Sequence, residues 1–255
     1  MPRYLLTLRY VGTAYCGWQV QNNARSVQQT VQDAMESLLG VRPRLTGCSR
    51  TDAGVHAREF CAHFDAALPM PADRLPLALN TRLPDDVAAL SCREVADDFH
   101  ARYACEGKTY CYQILCSRLR DPFLEGYAWQ VPYRTDQPLL DRAAGVFVGR
   151  HDFRGFCASG SSVTDTVRRV FDCHVEGEGE FLRLYITADG FLYNMVRIIA
   201  GTLGEVLAGR MKAEALPEIL ASGRREQAGP AAPPQGLFLE KVWYAGEKMP
   251  SRLSD

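Results

Sequence analysis

The stretch SVQQTVQDAMESLLG, residues 26–40, decides the fold class. Val27, Val31, Ala34, Met35 and Leu38 recur at helical spacing. Ser26 and Gln29 form an S-x-x-Q capping box, and Gly40 supplies the stop. The stretch therefore predicts an amphipathic helix. Upstream, YLLTLRY (4–10) alternates with period two, which predicts a strand. Downstream, a short strand is expected at 42–46, then the polar loop GCSRTDAGVHA (47–57). A strand at 59–65 follows, with Phe60, Ala62 and Phe64 on one face. A Pro-punctuated helix at 71–79 and a strand at 87–95 complete a β-α-β-β-α-β set, the split arrangement that yields an antiparallel sheet with helices on one side.

The pattern repeats. Residues 108–116 read as a strand with Tyr110, Tyr112 and Ile114 on one face, and Asp136 caps a helix that runs to a stop at Gly149. Residues 167–175 and 181–187 make a hairpin. A helix at 193–207 is stopped by Gly209, and a shorter one around 214–220 ends at Gly223. Pro230, Pro233 and Pro234 exclude regular structure from 224–236. The strand at 237–244 closes the second set, and the tail from 245 is expected to fray. The fold class is α+β, with two ferredoxin-like or RRM-like β-α-β-β-α-β halves around a central cleft. The domains are 1–104 and 105–255.

Length and composition bound what such a protein does. With 255 residues, 47% of them hydrophobic, the chain can bury a large core. The opening residues lack the apolar region of a secretory signal, and no run approaches the roughly 20 apolar residues that span a bilayer. A soluble cytoplasmic protein without a membrane partner is expected. Nine cysteines without a CxxC pair and five histidines without ligand-like spacing read as reduced core residues rather than disulfides or a metal site. The formal net charge of −1 argues against a nucleic-acid partner but does not veto one, because the basic residues are mostly arginines, suited to bidentate phosphate contacts.

Chemistry concentrates in the loop at 47–57. TDAG alone is a turn. This loop, however, gathers Ser49, Arg50, Thr51, Asp52 and His56, more functional groups than a turn requires. GCSRTDAGVHA resembles the catalytic motif of the tRNA pseudouridine synthase A family, in which the aspartate of RTDAGVH is essential. YVGTAYCGWQVQN (10–22), LPDDV (83–87), DDFHARYACEGKTYCYQI (97–114), DPFL (121–124), HDFRGFCASG (151–160), DGFLYNMVRIIAGTLGEV (189–206) and QGLFLEKVWY (235–244) resemble that family's segments in the same order. Together they cover nearly the whole chain. Val11 stands where the family usually has aspartate, and Gln235 where it commonly has histidine; neither is a catalytic position.

The resemblance implies a tRNA-modifying isomerase that converts uridine to pseudouridine at nucleotides 38, 39 and 40 of the anticodon stem-loop, as a homodimer. Such an enzyme must break the N1–C1′ bond, turn the uracil and join C5 to C1′. A carboxylate serves as nucleophile, as stabiliser of an oxocarbenium-like sugar, or as base on a sugar proton. No redox step occurs, so neither cofactor nor metal is required. The resemblance assigns Asp52 as that carboxylate and Arg50 as the side chain that fills the space of the flipped base. It makes Tyr110 the platform on the uracil, and Leu192 and Tyr193 the pocket lining. By itself, Arg197 in an apolar helix either faces solvent or meets a buried anion. The resemblance makes that anion Asp52, with one residue from each half of the cleft. Two other readings compete. A non-catalytic RNA-binding protein with duplicated RRM-like domains predicts an RNP-type KGFGFV strand, and none is present. A hydrolase needs a second carboxylate, and nothing marks Glu59 or Asp65 for that task.

Overall fold

The protein is described here from a computed structural model covering residues 1–22, 24–160 and 163–253. The chain is a mixed α+β protein that divides into two compact units, residues 1–106 with 238–247, and residues 107–237 with 248–255.

The first unit begins with β1 (Arg3–Tyr10), then α1 (Val27–Leu39), β2 (Thr46–Gly47), β3 (His56–Asp65), α2 (Leu75–Asn80) and β4 (Val87–Val95). Its sheet runs β4-β1-β3, with antiparallel pairing throughout. α1 starts where the capping signal lies: the Ser26 hydroxyl accepts from Gln29 N–H, and Gly40 ends the helix at φ 70°. Val27, Val31, Ala34 and Met35 are buried, the face its periodicity marks. Two expectations need correction here. The strand expected at 42–46 shrinks to Thr46–Gly47. Pro43 has no N–H to give a ladder, and Arg42 turns to Asp33 and Glu36 of α1 instead. The helix expected at 71–79 is a 3₁₀ turn, Ala72–Arg74, running into α2.

The second unit holds β5 (Cys105–Cys116), β6 (Trp129–Val131), α3 (Gln137–Gly145), β7 (Gly149–Asp152), β8 (Val167–Glu178), β9 (Phe181–Ala188), α4 (Met195–Leu207) and α5 (Leu216–Ser222). β5-β9-β8-β7 form an antiparallel sheet, and β6 adds in parallel to β5. Asp136 caps α3 by accepting from Leu139 N–H, but the helix stops at Gly145 rather than Gly149, which instead opens β7.

The last strand, β10 (Leu237–Tyr244), lies mostly in the first unit. It runs parallel to β3 in the first unit, with Phe238 opposite His56 and Leu239 opposite Ala57. The tail does not fray. Arg252 donates its backbone N–H to Phe171 O and sets its guanidinium 3.2 Å from Asp141 and 3.3 Å from Asp172, a carboxylate that is 4% exposed. A buried carboxylate needs a cationic partner, and the tail supplies one. Ser254 and Asp255 of that tail lie outside the described residues.

Candidate active site

In the first unit, Asp52 lies half-buried in the loop between β2 and β3. Asp52 O accepts from Val55 N–H and Gly54 has φ 77°, a turn for which glycine is the suitable residue. The segment after β1 straps this loop. Trp18 N–H donates to Thr51 O, Gly54 N–H donates to Tyr15 O, and Tyr10 and Thr51 share a hydroxyl bond of 2.9 Å. Gly12 N–H donates to Nδ1 of His56, which is 1% exposed, so that nitrogen carries no proton in this bond. A Cβ on Gly12 would collide with the Val55 carbonyl, and one on Gly17 with the Thr51 carbonyl. Strap and loop therefore meet backbone to backbone, and Asp52 sits on a rigid platform.

The strap is held from its other side as well. The Tyr15 hydroxyl donates to Asp86 at 2.6 Å. Burial first, and the Asp86 carboxylate second, push the Tyr15 phenol up to about 12. Arg50 is exposed at the loop surface, two residues before Asp52.

In the second unit, Tyr110 sits on β5 opposite Ile186, 6% exposed, with its ring edge-on to Phe191 at 4.8 Å. Leu192 is buried, whereas Tyr193 is 48% exposed. Arg197 is half-buried on the first turn of α4. Its Nε donates to Ala232 O at 2.7 Å and its Nη1 to Asn194 Oδ1 at 2.8 Å. Asn194 precedes α4 at φ 59°, a left-handed conformation that asparagine tolerates better than most residues. Leu192, Tyr193, Asn194 and Arg197 thus share one turn leading into one helix.

Sequence reading counted His56 only as one more functional group of the loop, and passed over the other partners that hold these groups: Tyr10, Gly12, Asn194 and Ala232. Of these partners, His56 and Asn194 carried a signal, as polar residues beside functional positions. Among the described residues, no group of three or more His, Cys, Asp or Glu side chains is arranged to hold a metal ion. None of their helices is long and apolar enough to cross a membrane.

Comparison with known proteins gives this arrangement a chemistry. Residues 7–104 and 143–245 match the family model described as tRNA pseudouridine synthase. The chain is 44% identical over 244 residues to the tRNA pseudouridine synthase A of Thermoanaerobacter sp. (strain X514), covering 96% of this chain and 100% of that protein. It is 46% identical over 246 residues to the protein of the same name from Moorella thermoacetica, again covering 96% of this chain and 100% of that protein. To the tRNA pseudouridine synthase A 2 of Clostridium perfringens it is 44% identical over 245 residues, with the same coverage. The chain is thus an RNA-modifying isomerase. It belongs to the tRNA pseudouridine synthase family. The reading as a non-catalytic RNA-binding protein is not favoured.

Proposed function

We propose that this tRNA pseudouridine synthase acts on uridines 38, 39 and 40 of the anticodon stem-loop, in the cytoplasm and as a homodimer. Asp52 is the catalytic carboxylate. The observation that carries this reading is the double clamp on its loop: main-chain bonds from Trp18 and Gly54, and the His56–Gly12 bond. A group that must meet a sugar carbon at fixed distance gains rate from being held in place before the substrate arrives.

The remaining roles follow the family resemblance. Arg50, long and exposed, fills the gap that the flipped base leaves in the stem. Tyr110 offers an aromatic face to the uracil, which Leu192 and Tyr193 line. Arg197 keeps the carboxylate of Asp52 ionised. We further read each unit as a ferredoxin-like half; in the first, the order β4-β1-β3 with β2 antiparallel to β3 supports that reading.

The test uses tRNA transcripts tritiated at uridine C5, each keeping uridine at only one of positions 38, 39 and 40. Tritium release from all three is expected with the wild-type enzyme. Asp52→Ala is expected to lower release by at least about 1000-fold. Release from transcripts lacking all three uridines would refute the positional assignment. Turnover that survives Asp52→Ala would refute the role of the aspartate.

A further inference from the structure

Apart from the Asp52 loop, the first unit carries a polar groove of about 1000 Å³. One wall is a face of α1 that includes Gln29 and Asp33; the others are the loop bearing Gln21, Asn22 and Arg25, and the turn at Arg82. The loop wall is built in advance. Gln21 Nε2 donates to Cys16 O at 3.0 Å, Val20 N–H donates to Gln28 Oε1 at 3.0 Å, and Cys16 N–H donates to Arg25 O at 2.9 Å. Its one carboxylate, Asp33, is already matched by Arg42 at 2.6 Å. Arg25 and Arg82 are both exposed, so the groove offers two guanidiniums among neutral amide and hydroxyl donors. That inventory suits an anionic, hydrogen-bond-accepting polymer more than an apolar or cationic ligand.

We infer that this groove binds the phosphodiester backbone of the tRNA substrate, with Arg25 and Arg82 each meeting a phosphate. The inference rests on tRNA being the substrate and adds a site apart from the Asp52 loop. Arg25 also ties the groove to that loop. Its guanidinium lies 4.8 Å from the centre of the Tyr15 ring, and Tyr15 O takes the Gly54 N–H of the TDAG turn. A phosphate held at Arg25 is therefore registered to the turn that carries Asp52. Arg25 and Arg82 are positioning residues here, since neither touches the reacting base.

The test reads binding rather than turnover, so it stands or falls separately from the positional assignment above. Affinity for a full-length tRNA transcript is measured by fluorescence anisotropy across a KCl series, for wild type, Arg82→Ala, Arg25→Lys and the Arg25→Ala/Arg82→Ala double variant. Each lost phosphate contact should flatten the plot of log K against log salt by roughly 0.7–0.9. Arg82→Ala is expected to show one such decrement and the double variant about two. Arg25→Lys, which keeps the charge, should retain the wild-type slope. Because Arg82 is exposed, its thermal midpoint should stay at the wild-type value. An unchanged slope in the double variant overturns the inference, as does a slope change seen only in variants whose thermal midpoint has dropped.

Discussion

The two units secure their candidate groups by the same device applied to different targets. In the first, an irregular segment (11–18) laces another loop: Trp18 N–H bonds Thr51 O and Tyr15 O takes Gly54 N–H, so main-chain groups tie the turn that carries Asp52. In the second, the Pro-rich stretch 228–236 laces a helix. Gly229 N–H donates to Thr202 Oγ1, Ala232 N–H donates to Arg197 O, and the Arg197 guanidinium returns a bond to Ala232 O. Main-chain bonds thus hold the turn that carries Asp52, whereas the Arg197 side chain is itself part of the lacing. A guanidinium has five donors and can use two on its own support.

The largest expected effect tests that contrast at Arg197. Lysine keeps the charge, but its donors all sit on one nitrogen, which cannot take the two separate places from which Nε and Nη1 reach Ala232 O and Asn194 Oδ1. Arg197→Lys is expected to lower kcat by about 100-fold with the fold retained. A lysine variant within about threefold of wild type in single-turnover assays would mean that charge alone suffices, and the proposed difference between the units would fail.

A middle-sized effect comes from the glycines at the two contacts. A Cβ at Gly12 meets the Val55 carbonyl, and a Cβ at Gly201 meets the Pro230 carbonyl. Either alanine substitution should cost about 1–3 kcal/mol in urea-induced unfolding, the usual range for overpacking. Their activities should diverge. Gly12→Ala pushes directly on the Asp52 turn and is expected to reduce turnover far beyond its loss of stability. Gly201→Ala displaces the strap one turn further along α4 than Arg197 and should reduce turnover less. Equal losses of activity at equal losses of stability would erase the distinction.

Much of this was legible from local pattern. The strands at 87–95 and 237–244 and the cap at Ser26 rest on interactions within a few residues, and the structure places them where periodicity did. The misses were non-local. Nothing near 237–244 tells that this strand pairs in parallel with β3, because side-chain alternation fixes a strand's faces and not its neighbour. The stunting of β2 depended on Arg42 finding acids on α1. β6 and β7, at three and four residues, are too short for periodicity to register. At the candidate site, Asp52 stood out through its motif. Its support did not, since main-chain bonds from 11–18 leave no side-chain signature except the glycines that permit them. The tail read as frayed because terminal segments usually are, yet Arg252 is fixed by the buried carboxylate it answers.

The smallest effect sets the units against each other through pH. His63 in the first unit is 7% exposed and accepts Ala101 N–H at Nδ1; burial chiefly, with His100 adding repulsion, lowers its pKa from 6.5. The unfolded chain therefore binds this proton more readily, so its contribution favours folding above pH 6.5 and weakens as pH falls through that value. His174 in the second unit behaves oppositely. Its Nδ1 lies 2.7 Å from Asp172, whose hydrogen bond raises its pKa from 6.5. That stabilisation is full below pH 6.5 and is lost as pH rises through the raised folded value. Each contribution should be about 1 kcal/mol or less. Urea unfolding from pH 5 to 8 is therefore expected to show partial cancellation in the wild type. His174→Asn removes one of the two opposing slopes, so its stability relative to wild type should rise with pH across this range. A constant difference between variant and wild type would show that His174 titrates alike in the folded and unfolded chain, and that the Asp172 contact acts without its charge.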